Sequence, residues 1–290
     1  MALNIVFMGS PSFAVPSLKF LHNSNDINVV AVCTQPPKAQ GRKKMITPTI
    51  IHKLADDLNI TVIHDFKNLY TIPDLDFIAV VAYGMFLPSE ILSLPKYSSL
   101  NVHPSLLPKL RGPAPIQYAL LNNHQYTGVS IIKLIEKMDA GDILLQERLN
   151  IKIQDRYSDL ENKLSEMGAE LLLRALKEYS NITPRKQDHK NVSFSHKIQD
   201  IQIDWLHDNV LTVYNKVRAF DGAKCMVQDY QVKIVSANII TDNTTNKVAP
   251  GKILDAKYIK CLDGLIEPIT ILPAGKKVMP FQDFLRGIKC

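Results

Sequence analysis

What the sequence has little of narrows its class. It holds four cysteines, Cys33, Cys225, Cys261 and Cys290, all far apart. No C-x-x-C pair and no Cys/His ligand spacing occurs, which argues against structural zinc; dispersed thiols of this kind fit a reducing, cytosolic setting. No apolar run approaches the roughly 20 residues that a bilayer-spanning helix needs. The first ten residues, MALNIVFMGS, carry no basic side chain, and the first is Lys19. This opening reads as a buried strand rather than a signal peptide, so the expected location is cytoplasmic. Neither G-x-G-x-x-G nor G-x-x-x-x-G-K-[ST] is present, so neither a standard dinucleotide fingerprint nor a Walker-type phosphate loop is supported. Internal repeats and low-complexity tracts are also missing.

What is present is an ordinary globular composition over 290 residues, 46% hydrophobic and 21% charged, enough for a sizeable core and for two domains. The formal charge is +6. A basic balance points to an anionic partner such as nucleic acid or phosphate, and is equally met by a solvated basic surface. Lys and Arg outnumber Asp and Glu by 12 to 9 in residues 201–290, so the C-terminal part holds a good share of that excess.

Along the chain, apolar runs at 3–8, 29–33, 60–63, 77–82 and 100–103 alternate with helix-spaced stretches at 11–21, 50–58 and 89–94. The run at 77–82 is wholly apolar, as for a strand covered on both faces, and the alternation predicts a parallel sheet. Residues 129–134 and 143–149 read as a hairpin added to that sheet. A helix is predicted over 158–179, with Ser158 as N-cap and Glu161 completing a capping box. Residues 183–202 are polar, contain Pro184 and read as a linker. Beyond it come a helix-like stretch at 204–220 and short strands at 232–237, 251–255 and 265–272, spaced by turn residues as in a small β-barrel. The expected fold class is therefore α/β. It comprises an N-terminal Rossmann-like, mostly parallel sheet with flanking helices (1–182), a linker (183–202) and a small OB-like C-terminal β-barrel (203–290).

The chemistry concentrates in residues 99–117, SLNVHPSLLPKLRGPAPIQ. Asn101 and His103 stand two apart, so on a strand they project from the same face, and at the carboxyl end of a parallel sheet they sit where sites gather. A carboxamide can donate to a developing oxyanion and an imidazole can move a proton, a pairing suited to attack on a carbonyl carbon. Asp139, in Met-Asp-Ala-Gly-Asp (138–142), is the carboxylate expected to orient or charge His103. A turn Asp more often simply makes an Asx-turn, and Asp142, the competing candidate, ranks lower because it begins the next strand. The loop at 33–44 carries Lys38, Arg42, Lys43 and Lys44, a solvated basic loop or a means to hold an RNA end.

Together these residues resemble the methionyl-tRNA formyltransferase family, within the wider group that moves formyl from 10-formyltetrahydrofolate to an amine. The resemblance is carried by the opening IVFMGSPSFAVPSL (5–18), Thr34-Gln35-Pro36, Gly41-Arg42, VVAYG (80–84), residues 101–117 and residues 138–144. In the C-terminal part it rests on Ile203-Asp204-Trp205, Val217-Arg218-Ala219-Phe220, Pro250-Gly251, PAGKK (273–277) and Phe284-Leu285-Arg286-Gly287. It implies that Asn101, His103 and Asp139 are catalytic. It implies that the formyl donor contacts Ser105, Leu106, Leu107 and Pro108 together with Tyr83, Gly84, Met85, Phe86 and Leu87. Initiator methionyl-tRNA would be the acceptor, met by Arg42, Lys43 and Lys44 and by the C-terminal domain. The resemblance also implies a monomer, and no metal is called for, since the formyl carbon arrives on an activated carrier; the short apolar runs speak against membrane association.

Two departures stand out. Arg42 runs straight into Lys43-Lys44, where the family commonly has an intervening glycine. After Phe220 comes Asp-Gly-Ala-Lys-Cys (221–225) in place of an Asn-Pro-Trp-Pro-like segment. The rival readings are a nucleotide-linked amino-sugar N-formyltransferase, a glycinamide ribonucleotide transformylase, which would normally lack the C-terminal domain, and a noncatalytic RNA-binding protein on the same scaffold.

Overall fold

The computed structural model describes residues 2–40, 44–198, 200–240 and 248–288. Their contacts form two compact units. The first comprises Met1–Pro115, Tyr126–Asn150 and Glu161–Ser195; the second comprises Ile116–Gln125, Ile151–Leu160 and His196–Cys290.

The first unit carries β1 (Leu3–Gly9), β2 (Ile27–Cys33), a ribbon of β3 (Lys38–Gln40) and β4 (Met45–Thr47), β5 (Val62–Ile63), β6 (Phe77–Val81), β7 (Ser98–His103), β8 (Tyr126–Lys133) and β9 (Ile143–Asn150). The helices in the same stretch of chain are α1 (Val15–His22), α2 (Ile50–Asp57), α3 (Ser89–Leu92), α4 (Pro115–Leu121) and α5 (Tyr157–Lys177), with nearly all of α4 and the start of α5 belonging to the second unit. Seven strands form one sheet in the order β5-β2-β1-β6-β7-β8-β9. It is parallel from β5 through β7, and the hairpin β8–β9 extends it antiparallel, as the sequence predicts. All five residues of β6 are buried, which explains its unbroken apolar run.

Side chains on β7 divide the two faces. Val102 points toward α5, where Gly168 lets the helix close in: a Cβ there would lie 2.7 Å from Val102 Cγ1. Its neighbours Asn101 and His103 therefore face the other side. Thr49 caps α2 by accepting from the His52 N–H at 3.0 Å. Helix α5 begins at Tyr157, one residue before the predicted start. The Asp159 carboxylate accepts the Arg156 N–H at 2.9 Å, whereas the Ser158 hydroxyl turns to Asp221. The helix is thus stapled by a carboxylate reaching back, not by Ser158 as N-cap.

In the second unit, α6 (Val210–Ala219) starts six residues later than the predicted 204. Asp204 and Asp208 draw the preceding backbone into a turn: Asp204 Oδ1 accepts from Leu206 N, Asp208 Oδ2 accepts from Asp204 N, and Asn209 then caps the helix through Thr212 N at 2.7 Å. The remaining elements are β10 (Ala223–Val227), β11 (Tyr230–Ile240), β12 (Ile253–Leu254), β13 (Tyr258–Lys260), β14 (Leu265–Pro273), β15 (Met279–Pro280) and α7 (Phe281–Gly287). The strands form an antiparallel sheet in the order β10-β11-β14-β13-β12, with β15 also on β14. Two register shifts against β14, between Ile234 and Ala237, bend the long strand β11.

Val213, Val217, Ile234, Ile271, Phe281 and Phe284 fill this unit's core. Arg218 is buried beside it. Its guanidinium donates to Asn215 Oδ1 at 2.9 Å, to Asn123 Oδ1 at 3.2 Å and to the Asp155 carbonyl at 3.4 Å, joining three stretches of chain. The segment after Phe220 forms a turn with Asp221 and Gly222 at positive φ, and Asp221 pairs with Arg156 at 3.2 Å.

Candidate active site

His103 ends β7, and both of its ring nitrogens have a defined neighbour. Nε2 lies 2.9 Å from the Leu110 carbonyl oxygen. A carbonyl only accepts, so Nε2 carries the hydrogen and the neutral ring keeps its lone pair on Nδ1. Nδ1 faces Asp139 Oδ2 at 3.7 Å, with the two side chains only 5% and 13% exposed. That gap is longer than a hydrogen bond, and Nδ1 is the one edge of the ring left to exchange a proton. Asn101, on the same face, is partly exposed, and among the described residues its carboxamide has no hydrogen-bond partner.

Asp139 sits in the turn between β8 and β9 at φ 49°, the left-handed conformation that Asp tolerates. Its Oδ2 accepts the Gly112 N–H at 2.8 Å. Its peptide carbonyl accepts from Gln187 Nε2 at 2.8 Å, and the same amide group donates to the Gly141 carbonyl at 2.7 Å. Gln187 Oε1 in turn accepts from Arg111 Nε and Nη2 at 3.0 and 2.7 Å. Arg111 is 2% exposed, and burial pulls its guanidinium below the usual arginine range. Asp142 takes no part in this arrangement: its carbonyl accepts the Lys133 N–H at the start of β9, and it is Asp139 that reaches His103.

The loop after His103 is held from β8 and β9. Ser130 Oγ donates to the Ser105 carbonyl at 2.6 Å and accepts the Leu107 N–H at 3.1 Å. Gln146 Nε2 donates to Ser130 Oγ at 2.8 Å and to the Leu107 carbonyl at 3.0 Å, and Arg185 holds the far oxygen of Gln146 at 3.1 Å. The Ser105 hydroxyl is used internally, donating to the Lys109 carbonyl at 2.6 Å. Leu107 packs with Ile132 and Ile143, and the peptide joining it to Pro108 is cis. Leu106 lies over Gly128, whose missing Cβ would strike both the Leu106 side chain and the Glu147 carbonyl.

At the adjoining end of β6, Gly84 turns the chain at φ +77°. Gln35 Nε2 and Ser10 Oγ both donate to the Tyr83 carbonyl, at 3.0 and 3.2 Å. The Tyr83 ring is buried with its hydroxyl 3.3 Å from Cys33 Sγ; burial and this contact raise the phenol above its usual range, and burial raises the thiol. Leu87 is buried, whereas Met85 and Phe86 stand 44% and 72% exposed.

The structure thus gathers His103, Asp139 and the 105–108 loop at one end of the sheet, with Asn101 on the same strand face as His103. Arg42 and Lys43 lie outside the described residues; Lys44 is exposed just ahead of β4. Among the described residues, no group of three or more His, Cys, Asp or Glu is placed to hold a metal ion, and no helix is long and apolar enough to cross a membrane. A concavity of about 740 Å³ lies among Leu3, Asn4, Asp74, Asp76 and Tyr97, at the amino ends of β1 and β6. It is at the wrong end of the sheet for chemistry at His103.

Sequence reasoning missed Gly112, Ser130, Gln146 and Gln187. A lone serine or glutamine carries no periodicity or motif signal. Gln187 lies in the stretch read as a linker, where Ser193 and Ser195 also bind the loop, by donating or accepting at Leu110 and Arg111.

Residues 3–176 match the formyl transferase family and residues 197–289 match the formyl transferase C-terminal domain. The methionyl-tRNA formyltransferase of Ehrlichia chaffeensis is 37% identical, and the match covers 98% of this chain and 97% of that protein. That of Caldicellulosiruptor saccharolyticus is also 37% identical, covering 99% and 97%. Among solved structures, the sugar 3N-formyl transferase WlaRD, studied with dTDP and 5-N-formyl-THF, aligns with a TM-score of 0.71 at 20% identity, covering 96% of this chain and all of that one. HypX from Aquifex aeolicus, in complex with tetrahydrofolic acid, aligns at 0.67 and 21%, covering 98% of this chain and 47% of that one. At those identities the likeness establishes the fold alone, while the near full-length matches above 30% decide the family. With both formyl transferase domains present and curated relatives matching from end to end, the chain belongs to the methionyl-tRNA formyltransferase family, enzymes that place a formyl group on methionyl-tRNA.

Proposed function

We propose that the formyl donor is 10-formyltetrahydrofolate, that the acceptor is the α-amine of initiator methionyl-tRNA, and that Asn101, His103 and Asp139 carry the transfer. The observation that carries this reading is the approach of His103 Nδ1 to Asp139 Oδ2 at 3.7 Å, with the opposite nitrogen committed to the Leu110 carbonyl. The amine attacks the formyl carbon; a new C–N bond forms, the bond to N10 of the donor breaks, and the amine's proton passes to the departing nitrogen. The Asn101 N–H and protonated His103 Nδ1 stabilise the oxyanion of the tetrahedral species. Asp139 balances the charge on His103. A donor of this kind supplies about 2.7–4 kcal/mol to the transition state.

The donor's ring fits the residues present. Exposed Met85 and Phe86 offer apolar surface at the end of β6, and paired β7 carries the 105–108 loop with the part-buried Leu106 side chain. Ser105, Leu106, Leu107 and Pro108, with the backbone of Tyr83, Gly84 and Leu87, would form that wall. The RNA contacts are assigned to Arg42, Lys43 and Lys44 and to a C-terminal tRNA-binding domain, 203–290, following a catalytic domain of 1–182 and a linker of 183–202. The protein acts as a monomer in the cytoplasm.

The test is an acceptor panel. Incubated with 10-formyltetrahydrofolate, the enzyme should formylate Met-tRNA and leave glycinamide ribonucleotide and nucleotide-linked 4-amino sugars unchanged. Formylation of a sugar without formylation of Met-tRNA overturns the reading.

A further inference from the structure

Gln187 is nine-tenths buried, and its carboxamide makes four hydrogen bonds with two kinds of partner. A guanidinium only donates and a peptide carbonyl only accepts, so the amide has a single workable orientation: oxygen toward Arg111, nitrogen toward Asp139 and Gly141. The contacts close a ring. Asp139 Oδ2 is held by the Gly112 N–H; Gly112 follows Arg111; the Arg111 side chain is held by Gln187; and Gln187 holds the peptide oxygen of Asp139. Asp139 is thereby fixed at both its side chain and its backbone, in a turn at φ 49°.

We infer that Gln187 is a positioning residue for the formyl transfer, a clamp that sets the reach of the Asp139 carboxylate to His103. It touches no substrate and acts through Asp139, so the inference rests on the catalytic reading of Asp139 given above. The chemistry of the contact set singles out glutamine. Glutamate keeps the acceptor that Arg111 needs and adds a favourable charge for it, but has no N–H for the two carbonyls. Gln187→Glu therefore keeps the Arg111 side of the clamp and releases the Asp139 side.

The test measures kcat and KM for Met-tRNA and for 10-formyltetrahydrofolate, with folding checked by circular dichroism and thermal melting, in wild type, Gln187→Glu and Asp139→Asn. The expected result is a folded Gln187→Glu enzyme whose kcat falls about tenfold or more while both KM values stay within about twofold. A folded Gln187→Glu enzyme with kcat close to wild type overturns the inference, as does a rise in KM with kcat unchanged. If Gln187→Glu does not fold, the same readings on Gln187→Met decide; if neither variant folds, the residue is structural and the inference fails. Asp139→Asn separates the two levels. A crippled Asp139→Asn beside an unaffected Gln187→Glu refutes the clamp alone, whereas an unaffected Asp139→Asn refutes the catalytic reading beneath it.

Discussion

The Gly112 N–H donates to Asp139 Oδ2 at 2.8 Å, a contact 27 residues long in sequence that joins the loop after β7 to the turn between β8 and β9. Gly112 holds φ at +116°, and a Cβ on it would strike the Ser195 carbonyl. A side chain therefore meets both backbone strain and a backbone wall. Gly112→Ala should lose about 1–2 kcal/mol of stability from the φ strain alone. The N–H would be displaced from Asp139, and kcat should fall about tenfold or more. Thermal melts and steady-state kinetics on the same preparation check both; an alanine enzyme with wild-type kcat would show that this N–H does not hold the carboxylate.

Ser130→Ala removes the hydroxyl that joins the Ser105 carbonyl, the Leu107 N–H and Gln146. The Leu107 N–H is left buried without that acceptor, a loss of about 1–3 kcal/mol. Because the 105–108 loop is the proposed donor wall, the kinetic effect should fall on KM for 10-formyltetrahydrofolate, with KM for Met-tRNA unchanged. A rise confined to KM for Met-tRNA would assign this loop to the acceptor.

Burial raises the Cys33 thiol and pushes those of Cys225 and Cys261 up to about 12. A thiol whose pKa is raised by folding stabilises the native state below its unfolded pKa. For Cys225 and Cys261 that contribution drains away as pH rises from about 8.5 toward about 12. At pH 8 all three should stay unlabelled by a thiolate-selective disulfide reagent in the native protein and react once urea is added. Rapid native labelling at Cys225 or Cys261, read by peptide mass mapping, would show that these thiols are not buried.

The alternation of strands and helices, the hairpin extension and the pair Asn101 and His103 are legible in the sequence because local physics writes them there. The apolar run of β6 marks a strand covered on both faces, and the i, i+2 spacing puts two side chains on one face of β7. The choice of Asp139 over Asp142 is only half legible, since both lie in one turn and only the fold turns one of them toward His103. The late start of α6 is hidden because Asp204 and Asp208 satisfy backbone N–H groups that a helix would otherwise need to order. Gln187 and Ser130 are illegible: Gln187 acts through contacts 46 to 76 residues away in the chain and Ser130 through contacts 16 to 25 residues away, which no local window contains.

The most direct measurement is turnover of a His103→Ala enzyme with 10-formyltetrahydrofolate and methionyl-tRNA, its folding verified by thermal melting. The loss of a charged donor at the oxyanion predicts a fall in kcat of about a hundredfold or more. A folded His103→Ala enzyme turning over near the wild-type rate would contradict the placement of the chemistry at this strand end.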